Sequence, residues 1–169
     1  MSCKNAVALF NTPYVHGTIE FHQCLGDTGV WIEINLHNFL PHKIHAIHIH
    51  EYGDERDGCK SLGGHWNPLN TTHGSLMYNM PSHAGDMINN LKSDQNGRFK
   101  YSYYDPRITL RGNTNNSIIG RSVVIHEGKD DLGLGGINPP NSKVRSASLK
   151  TGNAGKRLAC SIIGHAKDG

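Results

Sequence analysis

The sequence predicts an all-β chain, an antiparallel sandwich or barrel of short strands that carries two long loops. Three observations predict it. Apolar residues alternate with polar ones at period two in several short runs. Gly numbers 20 and the hydrophobic fraction is 36 %, the profile of strands joined by many turns. No heptad, internal repeat or convincing amphipathic helix is present. The 169 residues suit a single domain spanning 1–169, with a sizeable core.

Along the chain, apolar runs at 7–10 and 18–22 read as the first strands. Val30, Ile32, Ile34 and Leu36 then alternate with Trp31, Glu33 and Asn35, the period of a half-buried strand. The same period runs through Ile44-His45-Ala46-Ile47-His48-Ile49-His50. Phe99, Tyr101 and Tyr103 alternate after the turn signal Asp94-Gln95-Asn96-Gly97. Runs at 117–126 and 157–164 complete the set, and Asp27-Thr28-Gly29 and Arg111-Gly112-Asn113 read as turns.

Two segments, 51–85 and 127–156, break this rhythm for roughly thirty residues each. Structureless loops of that length are uncommon in compact domains and are usually functional or disordered. Each follows a histidine-bearing strand, which suits a site built by loops on a rigid scaffold. The second has room for a short helix, but its Gly and Pro content argues against a long one.

The net charge of +3 is too small to argue for nucleic acid. All of the excess falls between Glu127 and Arg157, where Lys129, Lys143, Arg145, Lys150, Lys156 and Arg157 face only Glu127, Asp130 and Asp131. This segment is either a solvated basic loop or an anion-attracting rim. No stretch approaches the roughly 18 apolar residues of a membrane span. No apolar leader is visible near Lys4, so the expected compartment is cytoplasmic. The sequons Asn70-Thr71-Thr72 and Asn115-Asn116-Ser117 are read as chance matches.

Twelve histidines ask for a metal-site search. His48 and His50 share one face of a strand, with Ile47 and Ile49 directed into the core. Two imidazoles one pleat apart can chelate one ion, although surface strands also carry the pattern by chance. His126 closes Val123-Val124-Ile125-His126 and is a third candidate nitrogen ligand; its plain alternative is a polar strand end. The first loop holds His65, His73, His83 and Asp86, and three imidazoles with a carboxylate make a tetrahedral zinc set. A nitrogen-rich constellation of this kind suits copper and zinc rather than magnesium or calcium.

Six motifs now carry a specific resemblance. They are His48-Ile49-His50-Glu51-Tyr52-Gly53-Asp54, Gly64-His65-Trp66-Asn67-Pro68-Leu69, His83-Ala84-Gly85-Asp86, Val124-Ile125-His126-Glu127, Asp130-Asp131-Leu132-Gly133 and Gly152-Asn153-Ala154-Gly155-Lys156-Arg157-Leu158-Ala159-Cys160. In order and approximate spacing they resemble the copper/zinc superoxide dismutase family, from about residue 5 onward. The resemblance implies a Greek-key antiparallel β-sandwich/barrel, immunoglobulin-like, with two long functional loops. It also implies one copper ion and one zinc ion per subunit. Copper would be held by His48, His50, His65 and His126, and zinc by His65, His73, His83 and Asp86, with His65 bridging as imidazolate. The activity implied is dismutation of superoxide to dioxygen and hydrogen peroxide by alternating reduction and oxidation of copper. When copper is reduced, the bridge bond can break and the freed His65 nitrogen take a proton. Arg157 would guide and dock the anion. Asp130 would accept hydrogen bonds from His48 and His73 and fix their rings.

The resemblance further pairs Cys59 with Cys160, closing a loop of about 100 residues worth roughly 4–5 kcal/mol. Cys3 and Cys24 have no family partner and are expected to be free. Tyr52, Gly53, Ile119 and Gly120 resemble dimer-contact positions, so a homodimer is expected, although His165 stands where an apolar residue is common. Leu158, in place of a proline, implies maturation without the copper chaperone, a partner that remains possible. Ala46 replaces a usual glycine and puts the local backbone in doubt. The second loop is about eight residues longer than in typical members, with the insertion at 138–147. An acidic pair is absent from it, while Lys150 and Thr151 match. A more positive channel mouth follows, and whether the longer loop narrows the channel is left open. The alternative function is an inactive decoy that sequesters copper or its chaperone, which loss of a ligand or of Arg157 would favour. A chaperone's dismutase-like domain is disfavoured by the lack of any Cys-x-x-Cys.

Overall fold

The computed structural model describes residues 3–112 and 114–167. The turn expected at Arg111-Gly112-Asn113 therefore lies partly outside the described residues, at Asn113. Besides two single-turn 3-10 helices, Lys60–Leu62 and Ala84–Asp86, ten strands and one α-helix follow in order: β1 (Cys3–Asn11), β2 (His16–Cys24), β3 (Val30–His37), β4 (Ile44–His50), β5 (Arg56–Cys59), β6 (Asn89–Lys92), β7 (Phe99–Asp105), β8 (Ser122–His126), α1 (Ser142–Thr151), β9 (Arg157–Ile162) and β10 (Gly164–His165).

Nine of these strands, all but β5, form two antiparallel sheets, ordered β10-β1-β2-β3-β7 and β6-β4-β8-β9. After visiting the second sheet the chain returns to place β7 beside β3, a Greek-key connection. The alternation read from β3 is real: Val30, Ile32, Ile34 and Leu36 are buried, and the residues between them are exposed. They meet Ile47 and Ile49 of β4 and Val123 and Ile125 of β8 in one core. Period two therefore turns His48 and His50 to the outer face of the second sheet, where the two long loops cover them. Ala46 fits β4 without distortion: it is fully buried, and its N–H donates to the Gly128 carbonyl at 2.8 Å.

The loops hold more structure than their composition suggests. β5 and β6 carry no apolar alternation, and β6 reads Asn-Asn-Leu-Lys. In the second loop Ser142–Thr151 forms a ten-residue helix. The glycines and prolines precede it rather than interrupt it. Asn141 caps its start, its side chain accepting from the Val144 N–H at 3.0 Å. Gly152 ends it in the left-handed region, φ 63°, donating to the Ser148 carbonyl. The run at 117–126 becomes a strand only from Ser122, because Gly120 turns the chain at φ 77°.

Cys59 and Cys160 are disulfide-bonded and tie β5 to β9. The expectation of free Cys3 and Cys24 is overturned: these two also form a disulfide. The reason is register. They sit directly opposite each other on β1 and β2, a pairing that the family motifs give no means of seeing.

Candidate metal centre

Every histidine read from the sequence as a candidate ligand converges on one buried region. His48 and His50 project from β4, His126 ends β8, and His65 enters from the first loop through a bridge to His50. One ligand atom from each of His48, His50, His65 and His126 lies within 4.8 Å of the others. The same holds for His65, His73, His83 and Asp86, so His65 belongs to both sets.

The first set presents unpaired nitrogens. His48 Nδ1, His50 Nε2 and His126 Nε2 are buried without a hydrogen-bond partner. Their opposite nitrogens are all engaged: His48 Nε2 with Asp130 Oδ2 at 2.7 Å, His50 Nδ1 with the Gly63 carbonyl at 3.0 Å, and His126 Nδ1 with the Gly155 carbonyl at 3.1 Å. Each outer N–H donates, which leaves the inner lone pair directed at the shared space. Three buried lone pairs without a donor would each cost free energy, and a cation satisfies them together. This donor set fits copper.

The second set gathers around one carboxylate oxygen. Asp86 Oδ1 lies 2.9 Å from His65 Nδ1, 2.9 Å from His73 Nδ1 and 3.1 Å from His83 Nδ1. A tetrahedron of ligands at about 2.0 Å from zinc has edges of about 3.3 Å, so these spacings fit a zinc-sized ion with small adjustment. Asp86 Oδ2 is held by the backbone N–H groups of His83 and Gly74. Because His65 Nδ1 faces this set, its Nε2 is the atom left for the other.

Asp130 links the two sets, with Oδ2 on His48 and Oδ1 at 2.9 Å from His73 Nε2. Sequence reasoning missed what holds Asp130. Asn89 donates to its Oδ2 at 3.1 Å, and the Asn90 amide bonds both its backbone N–H and its carbonyl. The only local signal was the Asn-Asn pair itself.

Arg157 opens β9 beside this centre. Its guanidinium donates to the carbonyls of Cys59, Lys60 and Gly63. With His50, His65, His126 and Thr151 it lines a cavity of about 160 Å³. An adjoining cleft of about 630 Å³ runs out between the first loop and α1, past Ser146 and Lys150. The inserted helix is thus one wall of the approach to the centre.

Burial sets most of the electrostatics. Burial, then the His65 ring, lowers His48 to about 3, and burial above all lowers His126 to about 4. His50 and His65 are pushed down chiefly by burial. For His73 burial works downward but is overridden by Asp130 and Asp86, which raise it to about 9. Asp86 and Asp130 lie well below the carboxylate range, because hydrogen bonds from histidines outweigh the effect of burial.

The metal-free protein should therefore be most stable near pH 6.5. Below it, the unfolded chain protonates histidines that the fold keeps neutral, so stability contributed by His48 and His126 is lost as pH falls toward 3–4. Above it, the contribution of His73 is lost as pH rises toward about 9. Urea unfolding of metal-free protein across this range checks the bell shape; a stability that is flat between pH 4 and 6.5 would contradict it.

A two-sheet Greek-key fold bearing two four-residue donor sets with one histidine in common defines a dinuclear, imidazole-rich metalloprotein. The comparisons agree. Residues 15–163 match the profile of copper/zinc superoxide dismutase (SODC). A Superoxide dismutase [Cu-Zn] of Paramecium bursaria Chlorella virus 1 is 43 % identical over 97 % of this chain and 80 % of its own length. That of Saccharomyces cerevisiae is 43 % identical over 89 % of this chain and 90 % of its own. A crystal structure of the clock protein EA4 superposes with a TM-score of 0.83 at 36 % identity, covering 96 % of this chain and 94 % of that one. The chain belongs to the copper/zinc superoxide dismutase family, an enzyme family whose cofactors are copper and zinc.

Proposed function

We propose that this chain dismutates superoxide to dioxygen and hydrogen peroxide, consuming two protons per pair of superoxide ions. Copper would be held by His48, His50, His65 and His126, and zinc by His65, His73, His83 and Asp86. Bound copper supplies a one-electron acceptor and donor, and zinc a redox-inert charge. The observation that carries the reading is the membership of His65 in both donor sets.

The protein's own groups do the rest. Arg157, fixed by three carbonyls on the cavity wall, attracts the anion and orients it by charge and hydrogen bonding. His65 Nε2 is placed to hold and release a proton beside the bound anion. Asp130 and the carbonyls of Gly63 and Gly155 fix the ring orientations. The test is copper and zinc content of the purified protein, measured alongside its rate of superoxide consumption. One ion of each per chain with rapid turnover is expected. Full loading without turnover would favour the decoy, although every ligand and Arg157 are in place here.

Arg157→Met is expected to lower kcat/KM by about 10- to 100-fold with metal content unchanged. Unchanged kcat/KM would remove the arginine from the mechanism. Lys150 lines the approach, and Lys143 and Arg145 add positive charge to the same helix. Activity should therefore decline as salt rises and the screening length falls from about 10 Å at 0.1 M to about 3 Å at 1 M. Activity indifferent to ionic strength would refute the steering.

Residues 1–169 act as one domain. A homodimer forms through the face carrying Tyr52, Gly53, Ile119 and Gly120, where Tyr52 is 57 % and Ile162 39 % exposed. Sedimentation tests this. Leu158 allows maturation without the copper chaperone, and the site of action is the cytoplasm. No helix among the described residues is long and apolar enough to cross a membrane.

A further inference from the structure

Most ligand rings in this centre are steered through their outer nitrogen. His48, His50, His73 and His126 each have that nitrogen bonded to a carboxylate or carbonyl. His83 differs: among the described residues no hydrogen bond reaches its Nε2. Its Nδ1 faces Asp86, and something else must hold the ring in place.

The backbone of His83 is gripped instead. Asp105, the last residue of β7, is fully buried and registered opposite Val30 of β3. Arg107 folds back on it. Its N–H and Nε donate to Oδ1 at 3.0 and 2.9 Å, and Nη2 donates to Oδ2 at 2.7 Å. This bidentate pairing fixes the plane of the guanidinium. The remaining nitrogen, Nη1, donates to Ser82 Oγ at 2.7 Å and to the His83 carbonyl at 2.8 Å. The Arg107 side chain is only 14 % exposed. The His83 carbonyl is thus tied to the first sheet, while its N–H is tied to Asp86 Oδ2 at 2.8 Å.

We propose that Arg107 is a positioning residue for the second donor set, orienting His83 through its backbone where His73 is oriented through its outer nitrogen. This rests on reading that set as the zinc site. A buried charged pair is a costly way to join a loop to a sheet, and apolar residues of similar volume would serve stability as well or better. The fork geometry gives what they would not, a fixed direction at a carbonyl.

The experiment measures zinc affinity by competition with a chelator, and the visible absorption of cobalt placed in the zinc site. It uses the full chain, wild type and variants. Arg107→Met is expected to weaken zinc by about 10- to 100-fold and to alter the cobalt spectrum. In Arg107→Lys one ammonium cannot grip both Asp105 and the His83 carbonyl, so zinc is expected to weaken by roughly threefold to tenfold. The double variant Asp105→Leu/Arg107→Leu separates packing from positioning: zinc stays weak even where thermal stability recovers. Wild-type zinc affinity and cobalt spectrum in the folded variants would overturn the inference, and Arg107→Lys decides the matter if Arg107→Met does not fold. A wild type that binds neither zinc nor cobalt would instead overturn the reading of the site itself.

Discussion

Replacing His65 with alanine is expected to abolish dismutation and to weaken copper and zinc together. His65 is the one side chain in both donor sets, its Nδ1 2.9 Å from Asp86 and its ring centroid 3.9 Å from that of His48. Each ion would lose one of four ligands, and the two sites would lose the ring that joins them. Loss of an outer-shell partner alone costs about 10- to 100-fold in affinity or activity, so loss of a shared ligand should exceed about 100-fold in activity. His50→Ala and His83→Ala are the controls, each expected to strike one metal first. Metal analysis after dialysis against a weak chelator, with superoxide consumption on the same samples, distinguishes these outcomes. A His65→Ala protein that retains either metal at wild-type affinity would show that the ring is not shared.

Cys160→Ser is expected to lower the stability of the metal-free protein by about 4–5 kcal/mol, because the Cys59–Cys160 bond spans 101 residues. The cost is not only global. The Cys59 and Lys60 carbonyls next to the bond accept from Arg157, and the Gly63 carbonyl accepts from both Arg157 and His50. Freeing this segment loosens Arg157 and His50 of the first donor set at once. Guanidinium unfolding of the variant and the wild type, both without reductant so that Cys3–Cys24 stays closed, measures the first effect, and kcat/KM of the metal-loaded variant measures the second. A change below about 1 kcal/mol would contradict the loop-closure argument.

The sheets were legible where one face is buried and the other wet. β3 alternates because Ile32 and Ile34 point into the core while Glu33 and Asn35 do not, and β4 alternates because Ile47 and Ile49 face the core while His48 and His50 face the other way. β5 and β6 were not legible, since Arg-Asp-Gly-Cys and Asn-Asn-Leu-Lys have no apolar face to show. β6 is placed by pairing with β4, and β5 is tied to β9 by the Cys59–Cys160 bond. Helix α1 was obscured because the Gly- and Pro-rich stretch before it dominates the composition of the loop, although Asn141 and Gly152 mark its two ends.

The donor sets were legible as residue types at strand ends and in one loop, and the motifs fixed their order. Their supports were not. Asn90 acts on Asp130 across 40 residues of sequence, and Arg107 acts on His83 across 24. No local pattern encodes contacts of that separation. The Cys3–Cys24 bond was missed for the same reason, since it depends on a strand register that only the fold reveals.

Anomalous diffraction at the copper and zinc absorption edges, from crystals of metal-loaded protein, tests the shared ring most directly. Two distinct peaks are expected, both within bonding distance of His65, one completed by His48, His50 and His126 and the other by His73, His83 and Asp86. A His65 ring bonded to a single peak, or a second peak elsewhere in the molecule, would contradict it.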